Sequence, residues 1–355
     1  MTQIEEKVAS VQPENDKNYF FNLIVPCHNP EGLIHRLFDS LTKQNIPKDD
    51  LLIIVVDDNS DNLNYREKLK EYDFNILFTE TNVEMHCPGN TRRKGMEFIN
   101  GKWLFFCDQD DFFEPDSLKQ VKEYINDHSN ETIYVVSTIM RGYNDKIGYH
   151  QEYRHQPTWL HGKWYSIDNL IRPYNINFKK DLYTHEDIYF NSSILNYLFR
   201  LKKDWHYLNI NTYCWYDNPN SLSRTITDNR GYLFENFNDY LISCSDPYWD
   251  SYEETREKVF LNQLLMALLH AYFYYEGGIY YDKNYNYDDV LKLISNYIHK
   301  LINTFPELSL KYIVDFVSSD PIKYNNVLRN SELFSGPFVP EISFKDFIYT
   351  VAKIQ

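Results

Sequence analysis

The sequence predicts an α/β fold over its first 228 residues, a mainly parallel mixed sheet flanked by helices, followed by a mostly helical region. Three observations lead there. Short apolar runs alternate with helix-spaced segments from residue 19 onward, the signature of βαβ units. Two of those runs stop abruptly at acidic clusters, Asp57-Asp58 and Asp108-Gln109-Asp110-Asp111. Beyond residue 228 the apolar spacing turns helical.

Residues 1–18 are polar and aperiodic, a loose terminus. Phe20-Phe21-Asn22-Leu23-Ile24-Val25-Pro26 is a short apolar run ended by proline and reads as a buried strand. Residues 31–44 place Leu33, Ile34, Leu37, Phe38 and Leu41 at helical spacing. Leu51–Val56 is a second buried strand. A helix near 63–71 leads to a third strand around 75–79, and a helix near 89–100 leads to a fourth, Lys102–Cys107. A helix near 115–127 and a strand at 132–139 follow, then a mixed, aromatic and His-rich stretch from Arg141 to Ile171. His185-Glu186-Asp187 opens an apolar-periodic segment, Ile188–Phe199. Helical segments near 254–275, 286–304 and 308–318 fill the region from 229 to 355, read as a separate domain for acceptor binding or self-association. That region holds 11 Lys/Arg and 17 Asp/Glu, 11 − 17 = −6, which argues against docking on an anionic membrane.

Length and composition narrow the classes. A chain of 355 residues suits about two domains. Hydrophobic residues at 43% and charged residues at 25% allow a sizeable core. The net charge of −15 opposes non-specific binding of nucleic acid by the whole chain and leaves only a local basic groove open. Aromatics at 17%, including 31 tyrosines, exceed ordinary usage; they fill a core, stack on sugars or bases, or reflect codon preference. Five cysteines (Cys27, Cys87, Cys107, Cys214, Cys244) are odd in number and contain no CxxC pair, which points to free thiols in a reducing compartment and not to a zinc site. The N-terminus lacks a signal-peptide pattern. The longest apolar stretch, Val259–Tyr275, is broken by Asn262, Gln263 and His270 and is short for a membrane span. The expected location is cytoplasmic, including a peripheral place at an inner membrane face or, for a phage-encoded chain, the host cytoplasm.

In open sheets of this kind ligands bind beyond the carboxyl ends of the strands, where both acidic clusters fall. Acids at i and i+2 in such a loop can face one cleft, and hard oxygen ligands suit Mg²⁺ or Mn²⁺. An ion there would neutralise a diphosphate leaving group. Asp187, at a helix start, could act as a general base on the same cleft. Asp-rich loops are also common as turns and helix caps.

At this point the residues resemble a family. "LIVPCHNPEGLIHRLFDSL", "LLIIVVDDNSD" and "CPGNTRRKGMEFINGKWLFFCDQDDFFEPDSL" resemble the family 2 glycosyltransferases of GT-A fold. "THEDIYFN" and "YCWYDNPNSLSR" resemble that family's later elements, so the likeness runs in order over about residues 19–226. It implies a nucleotide-sugar donor, with uracil the usual base, and a Mn²⁺ or Mg²⁺ cofactor. The implied donor contacts are Pro26, His28, Asn29, Glu31, Asp57 for the base, Arg92, Asp108 near the ribose, and Ser223 and Arg224 in a segment closing over the diphosphate. Asp110 is the implied principal metal ligand, with Asp108 beside it. Asp187 is the implied catalytic base, with Glu186 next to it. Acceptor contacts are expected from Asp111, Trp159, His161, Trp164 and His185.

The function implied is a metal-dependent, inverting glycosyltransferase acting from a UDP-sugar on a hydroxyl acceptor, a glycan or wall polymer. A hydroxylated DNA base is an alternative acceptor; a nucleotidyltransferase and a non-catalytic glycan-binding scaffold are rivals from other classes. A homo-oligomer built through residues 229–355 is a further expectation. His206 reads as a structural histidine or an additional metal ligand. "NET" at 130–132 and "NSS" at 191–193 are glycosylation sequons only in a secretory setting.

Overall fold

The first two strands, β1 (Tyr19–Cys27) and β2 (Leu51–Asp57), are apolar at nearly every position because both of their faces are covered. Phe21, Leu23, Val25, Leu51, Ile53 and Val55 enter one hydrophobic cluster, and Ile24, Leu52, Ile54 and Val56 enter the other. This period of two divides the sheet's residues between two layers of core. The computed structural model describes residues 17–30, 32–81, 86–180, 182–219, 237–276, 287–320, 325 and 342–354, with side chains omitted for 274–276. Two compact units, 1–218 and 219–355, divide the chain.

In the first unit the remaining strands are β3 (Asn75–Glu80), β4 (Gly101–Phe106), β5 (Phe112–Phe113), β6 (Val135–Asn144), β7 (Gly148–Arg154), β8 (Lys163–Ser166) and β9 (His206–Tyr216). They form one mixed sheet in the order β3-β2-β1-β4-β8-β6-β9-β5, with β7 paired to β6. The pairs β2–β3, β1–β2, β1–β4 and β6–β9 are parallel; β4–β8, β6–β8, β6–β7 and β5–β9 are antiparallel. Parallel pairing is therefore confined mostly to the first four strands. The helices are α1 (Leu33–Leu41), α2 (Asn64–Leu69), α3 (Pro88–Met96), α4 (Ser117–Asp127) and α5 (Glu186–Leu201).

α3 lies close on the sheet because it carries glycine where other residues carry bulk. A Cβ on Gly95 would stand 2.7 Å from Ile24 Cγ2, and one on Gly89 would stand 2.8 Å from Glu186 Cβ. Pro88 starts the helix, where its missing N–H costs nothing. The resulting fit sets α3 between the β1–β2 floor and the first turn of α5.

The second unit contains α6 (Phe237–Thr255), α7 (Lys258–Glu276), α8 (Asp288–Thr304), α9 (Leu310–Ser318) and α10 (Phe344–Val351). The segment expected at 254–275 is crossed by a break: Arg256 adopts φ 56°, in the left-handed region, and separates α6 from α7. Tyr272 and Phe273 are fully buried in this unit's core. Among the described residues no helix is long and apolar enough to cross a membrane.

Candidate active site

The carboxyl ends of β1, β2 and β4 are tied together by polar side chains. Gln109 clasps the backbone of His28: the His28 amide donates to Oε1 at 2.8 Å, and Nε2 donates to the His28 carbonyl at 2.9 Å. His28 Nδ1 lies 2.8 Å from the Asp58 carbonyl, which links the same turn to the end of β2. Asn29, in left-handed backbone at φ 43°, donates to Asp61 Oδ2 at 3.1 Å and accepts from the Asp61 amide at 2.9 Å. Pro26 is half-buried within β1, opposite Val56.

Asp57 faces inward. Its carboxylate accepts from the Ser60 amide at 2.9 Å and from the Tyr65 hydroxyl at 2.8 Å, and it is 2% exposed. Each oxygen thus holds one bond within the β2–α2 loop. The neighbouring Asp58 points the other way and bonds Thr81 Oγ1 at 2.8 Å and His86 Nδ1 at 2.7 Å through Oδ1.

Arg92, an expected donor contact, is buried. From the buried face of α3, Nη1 donates to Glu186 Oε1 and Nη2 to Asp108 Oδ1, each at 2.6 Å. Burial opposes its charge, but Asp108 and Glu186 outweigh that and raise its pKa. Arg92 is therefore a strut between the β4 loop and the first turn of α5. Burial likewise works against the charge of Asp108, and Arg92 with His161 overcomes it, holding the carboxyl below its usual range.

The acids of the β4 loop have three separate surroundings. Asp110 is half-buried and accepts from Asn218 Nδ2 at 2.8 Å; burial and the Asp108 charge raise its pKa. Asp111 is 1% exposed and accepts from the Tyr213 hydroxyl and, at 2.7 Å, from the Tyr216 amide. Burial, Asp110 and Asp108 push its carboxyl well above the ordinary value. Those bonds pin the loop to β9.

His161, expected at the acceptor, stands instead with the acids. Its ring stacks on Tyr213 at 4.8 Å, and Nε2 is buried without a hydrogen bond, 3.5 Å from Asp108 Oδ1. Ligand atoms of Asp108, Asp111 and His161 all lie within 4.8 Å of one another. Asp108 and an imidazole nitrogen without a hydrogen bond are donors suited to a divalent ion such as Mn²⁺ or Mg²⁺, and the half-buried Asp110 stands in the same loop.

At the head of α5, the Ile188 amide donates to Asp187 Oδ1 at 2.8 Å. Burial, with the Glu186 charge beside it, raises the Asp187 carboxyl to about 7. His185 occupies left-handed backbone at φ 60°, and burial lowers its imidazole to about 4, leaving it neutral at pH 7. Trp164 is 1% exposed, stacks on Phe105 at 5.7 Å and packs in the core. Trp159 is half-buried against Tyr153 and Trp215. His206 opens β9 at the end remote from the acids, with Nδ1 3.2 Å from the Tyr124 hydroxyl. A surface cavity of about 360 Å³ lined by Asn18, Asn100, Gly101, Asp168 and Arg172 opens at the amino ends of β1 and β4, away from this chemistry. Glu31, Ser223 and Arg224 lie outside the described residues.

Sequence reasoning passed over Asp58, Gln109, Tyr213 and Asn218. Asp58 and Gln109 are embedded in the two acidic clusters, and Tyr213 and Asn218 in the element "YCWYDNPNSLSR".

Residues 22–199, half of the chain, match the family described as Glycosyl transferase family 2. The chain belongs to glycosyltransferase family 2. The chain is 28% identical over 200 residues to a poly(ribitol-phosphate) beta-N-acetylglucosaminyltransferase, TarS, of Staphylococcus aureus, covering 54% of this chain and 33% of that protein. A poly(ribitol-phosphate) beta-glucosyltransferase of Bacillus spizizenii is 34% identical over 102 residues, 27% of this chain and 16% of its own. The matches thus span about a third or less of these relatives' length. Among solved structures, S. aureus TarS 1–349 in complex with UDP superposes with TM-score 0.60 at 18% identity, covering 88% of this chain and 91% of that one. The same protein in complex with UDP-GlcNAc gives 0.59 at 16% identity, covering 88% and 92%. The shared architecture is the GT-A-like mixed sheet with its flanking helices.

Proposed function

We propose that this family 2 enzyme is a metal-dependent, inverting glycosyltransferase that moves a sugar from a UDP-sugar to a hydroxyl of a wall polymer. The observation that carries the reading is the opposition of two charge environments across Arg92. On one side, Asp108 is held ionised beside Asp110 and His161; on the other, Asp187 is desolvated and raised to about 7. A carboxylate near neutral pKa is suited to take a proton, and an ionised acid cluster is suited to a cation.

In this reading the strand-end acids Asp57 and Asp58 and the His28 turn receive the nucleobase. Asp108, Asp110 and His161 would hold a divalent ion, which supplies Lewis-acid neutralisation of the departing diphosphate. Asp187 takes the acceptor hydroxyl proton as that oxygen attacks the anomeric carbon from the face opposite the nucleotide, so the configuration inverts. Glu186, tied by Arg92, keeps the first turn of α5 in register with the donor loop. The named activities of the relatives favour UDP-GlcNAc or UDP-glucose as donor and a polyol-phosphate polymer as acceptor. Residues 229–355 are proposed as a separate domain that orients that acceptor or mediates self-association.

Thermal unfolding with UDP, GDP, CDP or TDP, with and without Mn²⁺, tests the donor site. UDP with Mn²⁺ should stabilise the wild type by about 2.7 kcal/mol at a hundredfold excess over Kd, and Asp110→Ala should lose the metal-dependent part. Absence of a shift with every nucleotide would refute the reading and favour a scaffold.

A further inference from the structure

The segment Gln156–Leu160 has little regular structure, yet four of its carbonyls are captured by three buried side chains. Lys163, 2% exposed on β8, donates Nζ to the carbonyls of Gln156 and Trp159. Asn191, fully buried one turn after Asp187, donates Nδ2 to the Thr158 carbonyl at 3.0 Å and to the Asp187 carbonyl at 3.1 Å. Tyr165, fully buried, donates to Asn191 Oδ1 at 3.0 Å, and its hydroxyl lies 3.3 Å from the Leu160 carbonyl. Both Asn191 amide hydrogens and its oxygen are satisfied together, and one side chain spans the loop and the turn of Asp187. Buried polar networks of this kind are costly unless complete, and complete ones fix a single geometry. The Nζ of Lys163 also lies 5.0 Å over the Trp205 ring, a contact that favours its protonated form, while burial lowers the group to about 7.

We infer that Asn191, backed by Lys163 and Tyr165, is a positioning residue that sets the segment carrying Trp159 and His161 against the turn carrying Asp187, and so fixes where the acceptor hydroxyl meets the base. The inference rests on the reading of Asp187 as that base. Asn191 is also the asparagine of the 191–193 sequon, and its complete burial removes it from any glycosylation. Proximity is the physical reason such a brace matters: a displacement of about 1 Å at a reacting pair costs up to roughly a hundredfold in rate.

Two readouts test it on the full chain, with UDP-GlcNAc, Mn²⁺ and poly(ribitol phosphate) as probes. In Asn191→Leu, amide hydrogen exchange should rise about tenfold in residues 156–161 and in the first turn of α5, the scale of a lost buried hydrogen bond, with β1 and β2 unchanged. Transfer to polymer should fall about tenfold or more, while hydrolysis of the donor by water and the UDP-induced thermal shift stay within about twofold. Should that variant fail to fold, Asn191→Asp keeps the shape and loses the two donor hydrogens. Tyr165→Phe, which leaves both Asn191 donors in place, should have a smaller effect. Unchanged exchange at 156–161, or transfer and hydrolysis falling together, would overturn the inference. Asp187→Asn serves as the control: if it still transfers at the wild-type rate, the base assignment fails, whatever Asn191 does.

Discussion

Arg92 commits both terminal amino groups to carboxylates of different elements, Asp108 Oδ1 and Glu186 Oε1. Asp187, one residue further on, has the Ile188 amide as its hydrogen-bond donor and keeps a carboxyl raised to about 7 by burial and by Glu186. Two outcomes follow for Asp187. As the proposed base it must be ionised, so transfer should rise with pH through about 7. For stability the sign is opposite: an unfolded Asp titrates near about 3.9, so the folded state binds more protons between there and about 7. The contribution of this group to stability therefore falls as pH rises across that window. Asp187→Asn, which mimics the neutral form, should raise Tm more at pH 8 than at pH 5; calorimetry at the two pH values checks it, and equal shifts would contradict it. The acids at 108, 110 and 187 were legible in the sequence because each lies at the end of a readable element. The partners of Arg92 were not, since Glu186 stands 94 residues away and only the closure of α3 onto α5 brings it near. Asp57 and Asp58 illustrate the same limit: adjacent in sequence, they face opposite sides of one strand end.

At the scale of elements, the fit between α3 and α5 passes through Gly89. A methyl group there would stand 2.8 Å from Glu186 Cβ and 3.0 Å from its Cγ, beneath the Arg92 bridge. Gly89→Ala should therefore displace the head of α5, lowering kcat by about tenfold or more while β1–β4 stay folded; circular dichroism alongside turnover checks both halves. Trp164→Ala should cost about 3–5 kcal/mol in stability as a core truncation, seen in denaturant unfolding, without a specific effect on acceptor KM. The first four strands and their helices could be read directly, because doubly covered strands are continuous apolar runs. β7 could not: its residues are mostly exposed and polar. β8 is four residues long and contains Lys163, whose burial depends on carbonyls of a neighbouring loop. The break at Arg256 carries no glycine or proline to mark it.

For the whole molecule the net charge of −15 sets the long-range field. A polyol-phosphate acceptor is itself anionic, so approach is repulsive and screening helps it. Raising ionic strength from 0.01 to 0.15 M shortens the screening length from about 30 to about 8 Å. The acceptor KM should fall over that range, measured by initial rates at fixed donor and Mn²⁺; a rising KM would instead indicate a basic track that attracts the polymer. Both sheet clusters lie within residues 1–218, the part whose alternation the sequence exposes. The helices of the second unit were legible as periodicity, but α6 and α10 were not, because α6 carries Pro247 and many polar residues and α10 is only eight residues long.

The most direct test of the central claim is release of UDP from UDP-GlcNAc in the presence of Mn²⁺ and poly(ribitol phosphate), compared between wild type and Asp187→Asn. Both proteins should bind UDP with Mn²⁺ equally, and the variant should lose roughly 10²–10⁴ in kcat. Turnover by Asp187→Asn at the wild-type rate, or a wild type that neither binds UDP nor releases it, would contradict the account.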